Sequence, residues 1–184
     1  MVERQLKAEP VSPAKLAHIV LRSPKFAEVV AWYKNVLSAE AMFENEFLAF
    51  MTYDDEHHRV AVINMPQAPA AAEGAAGVDH VAFTYAQLGD LLSNYRRLKA
   101  QGIEPFWTIN HGPTTSMYYR DPDGNQVELQ VDNFPTDEAL EEWFASGAFA
   151  ENPIGVNFDP EKLASLYEDG VPLNDLVRQG TAAV

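Results

Sequence analysis

One pattern of residues occurs twice in this chain, and each copy opens on a histidine. Residues 16–20 read LAHIV and residues 78–82 read VDHVA, which puts His18 and His80 at an offset of 62 positions. At that same offset Phe26 falls on Leu88, Val29 on Leu91, Val30 on Leu92, Tyr33 on Tyr95 and Val36 on Leu98. Apolar residues at three- and four-residue spacing mark one face of a helix, so what is duplicated is a structural unit rather than a short motif. A repeated unit places equivalent residues in equivalent surroundings. Two histidines at the same point of two paired units can face one cavity, which is how a metal site is assembled across a repeat. A lone histidine on a strand is more often a satisfied polar residue; the duplication is what favours a ligand here.

Each copy reads as β-α-β-β-β. In the first (15–66), a strand over 15–21 leads to a cap-plus-proline helix start at Ser23-Pro24, then a helix through Val36 and strands over 40–43, 46–53 and 58–65. Residues 67–77, rich in Ala, Pro and Gly, read as a linker. The second copy (78–134) gives a strand over 78–83, a helix over 86–101 ended by Gly102, and strands over 104–110, 115–120 and 125–131. Asp121-Pro122-Asp123-Gly124 makes a tight turn between the last two. Residues 1–14 read as an N-terminal arm. Residues 135–184 read as a helical tail, with helices over 137–149, 160–168 and 173–178, acting either as outside packing or as a lid. The expected fold class is α+β: two paired βαβββ modules forming a cupped mixed sheet around a metal cavity, with a C-terminal helical tail.

The bulk properties remove several classes of function. Thirteen Lys and Arg against 27 Asp and Glu give a net charge of −14, which disfavours nucleic acid and anionic membranes as partners. The absence of cysteine excludes disulfides, thiol nucleophiles and thiolate metal ligands. Any metal must be held by imidazole, carboxylate or water. No apolar run approaches the length of a membrane span, and a cytoplasmic address is the expectation.

Within the strand expected over 125–131, Val127, Leu129 and Val131 share one face while Gln126, Glu128 and Gln130 share the other. His18, His80 and Glu128 then make a set of two histidines and one carboxylate. Three ligands on one side of an octahedral ion leave positions open, which suits Fe(II) binding substrate and dioxygen together, with Mn(II) as the alternative ion. The matching strand of the first module, HRVAVIN, has no carboxylate at its centre, so the site is expected to be asymmetric. Of the pair His57-His58, parity with Val60 and Val62 selects His58 as the inward residue and a candidate acid–base group. Tyr118 and Tyr119 alternate, so one of them faces the cavity and can hydrogen-bond an anionic substrate oxygen. His111 sits in a Gly/Pro loop and, judged alone, reads as a surface residue.

These stretches resemble the vicinal oxygen chelate superfamily, and within it the small single-domain type I extradiol ring-cleavage dioxygenases. The resemblance is carried by LAHIVLRSPKFAEVVAWYKNVL, FMTYDDEHHRVAVINMP, GVDHVAFTY and HGPTTSMYYRDPDGNQVELQVDNF. It implies His18, His80 and Glu128 as the Fe(II) ligands, His58 as the acid–base histidine, Tyr118 as the active-site tyrosine and His111 as the histidine behind it. The implied reaction cleaves a catechol-type ring beside the diol using dioxygen. The implied partners are a small aromatic diol and O2, and a homo-oligomer is expected. Two other readings belong to the same fold. One is a glyoxalase-like isomerase or transferase, whose fourth ligand is a first-module carboxylate that this chain lacks. The other is a non-catalytic small-molecule binder.

Overall fold

The computed structural model describes residues 9–69 and 76–184. Contacts divide the chain into two compact units, 1–68 and 69–184.

In the first unit, β1 (Ile19–Ser23) and α1 (Phe26–Val36) are followed by β2 (Glu40–Glu44), β3 (Leu48–Thr52) and β4 (Val60–Asn64). The sheet order is β1-β4-β3-β2, with β1 parallel to β4 and the other pairs antiparallel. In the second unit, β5 (His80–Tyr85), α2 (Leu88–Lys99), β6 (Trp107–Asn110), β7 (Thr114–Arg120) and β8 (Gln126–Asp132) repeat the plan as β5-β8-β7-β6, again with only the β5–β8 pair parallel. The duplication is therefore one of topology as well as sequence. Four of the five helix pairs matched at the 62-position offset have matched burial: Val29, Val30, Tyr33 and Val36 are at most 2% exposed, and Leu91, Leu92, Tyr95 and Leu98 at most 3%. In each unit one sheet face completes that core, Ala49, Met51, Val60 and Val62 in the first and Met117, Tyr119, Val127 and Leu129 in the second.

The tail belongs to the second unit. It forms α3 (Asp137–Ala145), α4 (Ala148–Glu151), β9 (Val156–Asn157), α5 (Pro160–Glu168) and α6 (Leu173–Leu176). Strand β9 adds itself antiparallel to β6 as a fifth strand. Asp159 caps α5 by accepting from the Glu161 and Lys162 amides ahead of Pro160 at the first turn. Tyr95 and Lys99 on α2 bond Glu161 on α5, which pins the tail to the repeat. Among the described residues no helix is long and apolar enough to cross a membrane.

Several element boundaries differ from expectation for identifiable reasons. Strand β1 starts at Ile19, not at 15, because its partner strand starts at Val60; the preceding carbonyls of Leu16 and Ala17 bond the Arg59 guanidinium instead. Ser23 ends β1, and its hydroxyl accepts from the Lys25 amide, so Ser23-Pro24 is a turn before the helix and not its cap. Strand β3 starts at Leu48 because the Asn45 side chain takes the amides of Phe47 and Leu48. Strand β6 is confined to 107–110; Pro105 has no amide to donate. The helix expected over 137–149 breaks at Gly147, whose φ of 86° is left-handed.

Because Leu98 is fully buried on α2, Leu98→Ala is expected to destabilise the protein by about 2–5 kcal/mol in chemical denaturation. A loss below about 1 kcal/mol would mean that the α2 face is not packed as described.

Candidate active site

The β7–β8 hairpin sets the face of the second unit that carries chemistry. The 121–125 turn closes it, with Asp121 accepting from the amides of Asp123 and Asn125 and from the Asn125 side chain at 2.8–2.9 Å. The pairing that follows puts Tyr118 opposite Glu128 and Tyr119 opposite Val127. Tyr119 is 1% exposed among the core residues, its hydroxyl 3.9 Å from the Met117 sulfur. Tyr118 is the tyrosine on the polar face. Strand β5 lies parallel on the other side of β8 with Ala82 beside Glu128, and strand alternation puts His80 on that same face.

The groups converge there. Nε2 of His80 is 3.1 Å from Oε2 of Glu128, whose side chain is 6% exposed. The Tyr118 ring stands edge-on to His80 with centroids 5.3 Å apart. Trp107 stacks on Tyr118 at 4.7 Å. On the far side of the tyrosine, His111 Nε2 is 3.1 Å from the Tyr118 hydroxyl, and its Nδ1 is 2.6 Å from the Ile154 carbonyl. His111 is thus a half-buried member of the cluster and not the surface residue its loop implies. Burial, followed by the Glu128 charge, raises the Tyr118 phenol well above its ordinary value, so it stays protonated and able to donate.

Nδ1 of His80 is 2.7 Å from the Asp79 carboxylate. A carboxylate only accepts, so the Nδ1 proton is committed to Asp79. Nε2 then faces Glu128 with either a proton or a lone pair, and a lone pair against a carboxylate needs a cation between them. An imidazole tied at Nδ1, with Nε2 turned to a buried carboxylate, fits a divalent metal ion.

The first unit carries its own histidine cluster. His18, exposed, precedes β1; its ring centroid is 4.3 Å from that of His58. His58 stacks on Phe50 at 4.4 Å, and its Nδ1 meets Nδ1 of His57 at 2.6 Å, a contact that requires one of the two to carry the proton. Arg59 ties both segments: it bonds the carbonyls of Leu16 and Ala17 ahead of His18 and the Asp54 carboxylate ahead of the histidine pair. Parity selected His58, but for the wrong reason. Strand β4 begins only at Val60, whose side chain faces the helix with Val62. His58 lies before the strand and packs on Phe50, whose register partner Ala61 is on the opposite face. Burial, then the neighbouring His18 and His57, lowers the His58 pKa. Among the described residues no group of three or more His, Asp or Glu side chains forms a ready metal cluster.

Register locates the asymmetry between the modules. Ala82 pairs with Glu128 in the second unit, and its counterpart Val20 pairs with Ala61 in the first. Tyr118 pairs with Glu128 and Trp107; Phe50 pairs with Ala61 and Phe43. So Ala61, Phe50 and Phe43 stand in the first module where Glu128, Tyr118 and Trp107 stand in the second. Alternation alone left Tyr118 and Tyr119 open, but counting outward from the Asp-Pro-Asp-Gly turn pairs 120 with 126 and hence 118 with 128. Asp79 and Ile154 were not anticipated. Asp79 is visible as the residue before His80, but Ile154 acts through its backbone and leaves no side-chain signal.

The model of the Glyoxalase/Bleomycin resistance protein/Dioxygenase superfamily matches residues 15–129. Biphenyl-2,3-diol 1,2-dioxygenase 2 of Rhodococcus globerulus is 44% identical over 169 residues, covering 91% of this chain and 89% of the relative. Biphenyl-2,3-diol 1,2-dioxygenase 3 of the same organism is 42% identical over 170 residues, covering 91% and 90%. Among solved structures, a glyoxylase/bleomycin resistance protein/dioxygenase domain from Frankia sp. EAN1pec has a TM-score of 0.55 at 17% identity, over 66% of this chain and 99% of that one. Lactoylglutathione lyase from Agrobacterium tumefaciens has a TM-score of 0.53 at 20% identity, over 65% and 94%. The structural likenesses establish the fold.

With its pKa lowered, His58 in the metal-free protein should titrate with a midpoint below 6.5, followed by the NMR shift of its ring Hε1. A midpoint at or above 6.5 would contradict the packing described for it.

Proposed function

The chain belongs to the Glyoxalase/Bleomycin resistance protein/Dioxygenase superfamily, and we propose that within it the protein is an extradiol dioxygenase that cleaves the ring of a catechol-type diol using O2. The observation that carries this reading is the His80–Glu128 pair with the Tyr118 hydroxyl beside it, in a chain 44% identical to a biphenyl-2,3-diol dioxygenase. Biphenyl-2,3-diol is therefore the first substrate to try. Ala61 at the register position of Glu128 favours this chemistry over a glyoxalase-like isomerisation, for which a first-module carboxylate would be the fourth ligand.

His18 from the first unit, with His80 and Glu128 from the second, are the proposed ligands of the metal, and Fe(II) is the proposed ion. When bound, Fe(II) supplies open coordination positions for a diol and dioxygen and a path for electrons between them. The chain's own residues do the rest. Asp79 holds the Nδ1 proton of His80 and so keeps Nε2 directed at the ion. Glu128 contributes a buried negative charge that balances it. His58, kept neutral at physiological pH by its surroundings, accepts a substrate hydroxyl proton and returns it later. Tyr118, held protonated with its proton turned to His111 Nε2, offers its phenol oxygen as the acceptor for a substrate hydroxyl. Trp107, stacked on Tyr118, walls the site and excludes water. The proposed assembly is a homo-oligomer; the aromatic residues Phe144 and Phe149 of the tail, 45% and 39% exposed, are the surface offered for it.

The test is anaerobic reconstitution with Fe(II), followed by oxygen uptake and near-visible absorbance with a panel of catechols. A coloured product with matched oxygen consumption, lost in His80→Ala, is the expected outcome. His58→Gln should lower kcat about 10²–10⁴-fold while metal content stays at the parent level. Stoichiometric metal with no oxygen uptake on any catechol would overturn the dioxygenase reading in favour of the isomerase.

A further inference from the structure

The tail makes a second kind of contact with the site, through its backbone. The Ile154 carbonyl accepts from Nδ1 of His111 at 2.6 Å. Because a carbonyl cannot donate, Nδ1 carries the proton, and in the neutral ring Nε2 is left as the acceptor for the Tyr118 hydroxyl at 3.1 Å. The direction of the Tyr118 hydroxyl thus depends on a carbonyl 36 residues further along the chain.

That carbonyl is held unusually firmly. The next residue, Gly155, has a φ of 112°, and a Cβ there would lie 2.3 Å from the Asn110 carbonyl oxygen and 2.8 Å from His111 Cα. Asn152 braces the turn from both sides, donating to the Gly155 carbonyl at 2.9 Å and accepting from its amide at 3.0 Å. Strand β9 follows at once, pairing Val156 with Asn110, while the Asn157 side chain accepts from the Trp107 indole at 3.0 Å. On the other side of the same corner, the Trp143 ring packs so closely on Gly112 that a Cβ there would approach it to 2.3 Å. Gln179 donates to the Asn110 carbonyl at 3.1 Å. Three separate parts of the tail therefore grip residues 110–112.

We propose that the 152–155 turn is a positioning element for the reaction: the Ile154 carbonyl selects the Nδ1–H tautomer of His111, which makes His111 the acceptor of the Tyr118 proton and leaves the phenol oxygen as an acceptor toward the site. On this account the tail is neither passive packing nor a lid. The kinetic side rests on the dioxygenase reading; the tautomer does not.

The experiment combines a long-range 1H–15N spectrum of 15N-labelled protein, recorded well above the ordinary histidine pKa of about 6.5, with steady-state turnover of biphenyl-2,3-diol by the Fe(II)-loaded enzyme. His111→Gln identifies the resonance. In the parent, His111 is expected as the Nδ1–H tautomer. Gly155→Ala, and the milder Asn152→Ala if the first does not fold, should populate the Nε2–H tautomer and lower kcat about ten- to a hundredfold with little change in bound iron. An Nε2–H tautomer in the parent would overturn the proposal. So would an Asn152→Ala protein that keeps the Nδ1–H form and full kcat, or one that changes tautomer with kcat unaltered. If the parent turns over no catechol at all, the dioxygenase reading fails, and the spectrum alone decides whether Ile154 sets the tautomer.

Discussion

Across the turn at 121–125, Asp121 gathers hydrogen bonds from two amides and one side chain, and this closes β7 on β8 with Tyr118 opposite Glu128. Everything the second unit does follows from that register. A slip of one residue would exchange the faces, burying Glu128 in the helix-packed core and turning Val127 and Tyr119 outward. Burial of a carboxylate among Leu91, Leu98 and Met117 has no compensation, so the apolar face enforces the polar one. The core and the candidate site are two sides of a single strand pairing.

The duplicated modules have diverged along the same logic. Both keep the helix face at four of its five matched positions, because that face packs independently of the far side of the sheet. The far sides differ completely: Phe43, Phe50 and Ala61 in one unit stand for Trp107, Tyr118 and Glu128 in the other. One module keeps an apolar surface with a histidine cluster at its margin, and the other keeps the carboxylate and the phenol.

Much of this could be read from the sequence, since period and alternation are local. The helix faces, the polar side of β8 and the turn between β7 and β8 all follow from residues a few positions apart. His58 shows where such reading misleads: parity with Val60 and Val62 assumed one continuous strand, but the backbone enters β4 only after Arg59 has bonded the loop before His18. The role of the tail was illegible for another reason. A two-residue strand, a carbonyl acceptor and a glycine with positive φ carry no periodic signal, and they acquire meaning only when β9 meets β6. Asp79 lay in plain view beside His80, but a carboxylate next to a histidine is informative only once the ring nitrogen it takes is known.

The proposal most in need of a direct test is the ligand set His18, His80 and Glu128. Anaerobic Fe(II) affinity, measured by chelator competition on the parent and on His18→Ala, His80→Ala and Glu128→Ala, addresses it without any substrate. The account predicts that each substitution weakens binding by at least about tenfold, since even the residues that orient ligands carry an effect of that size. A His18→Ala protein that holds iron as tightly as the parent would contradict the account.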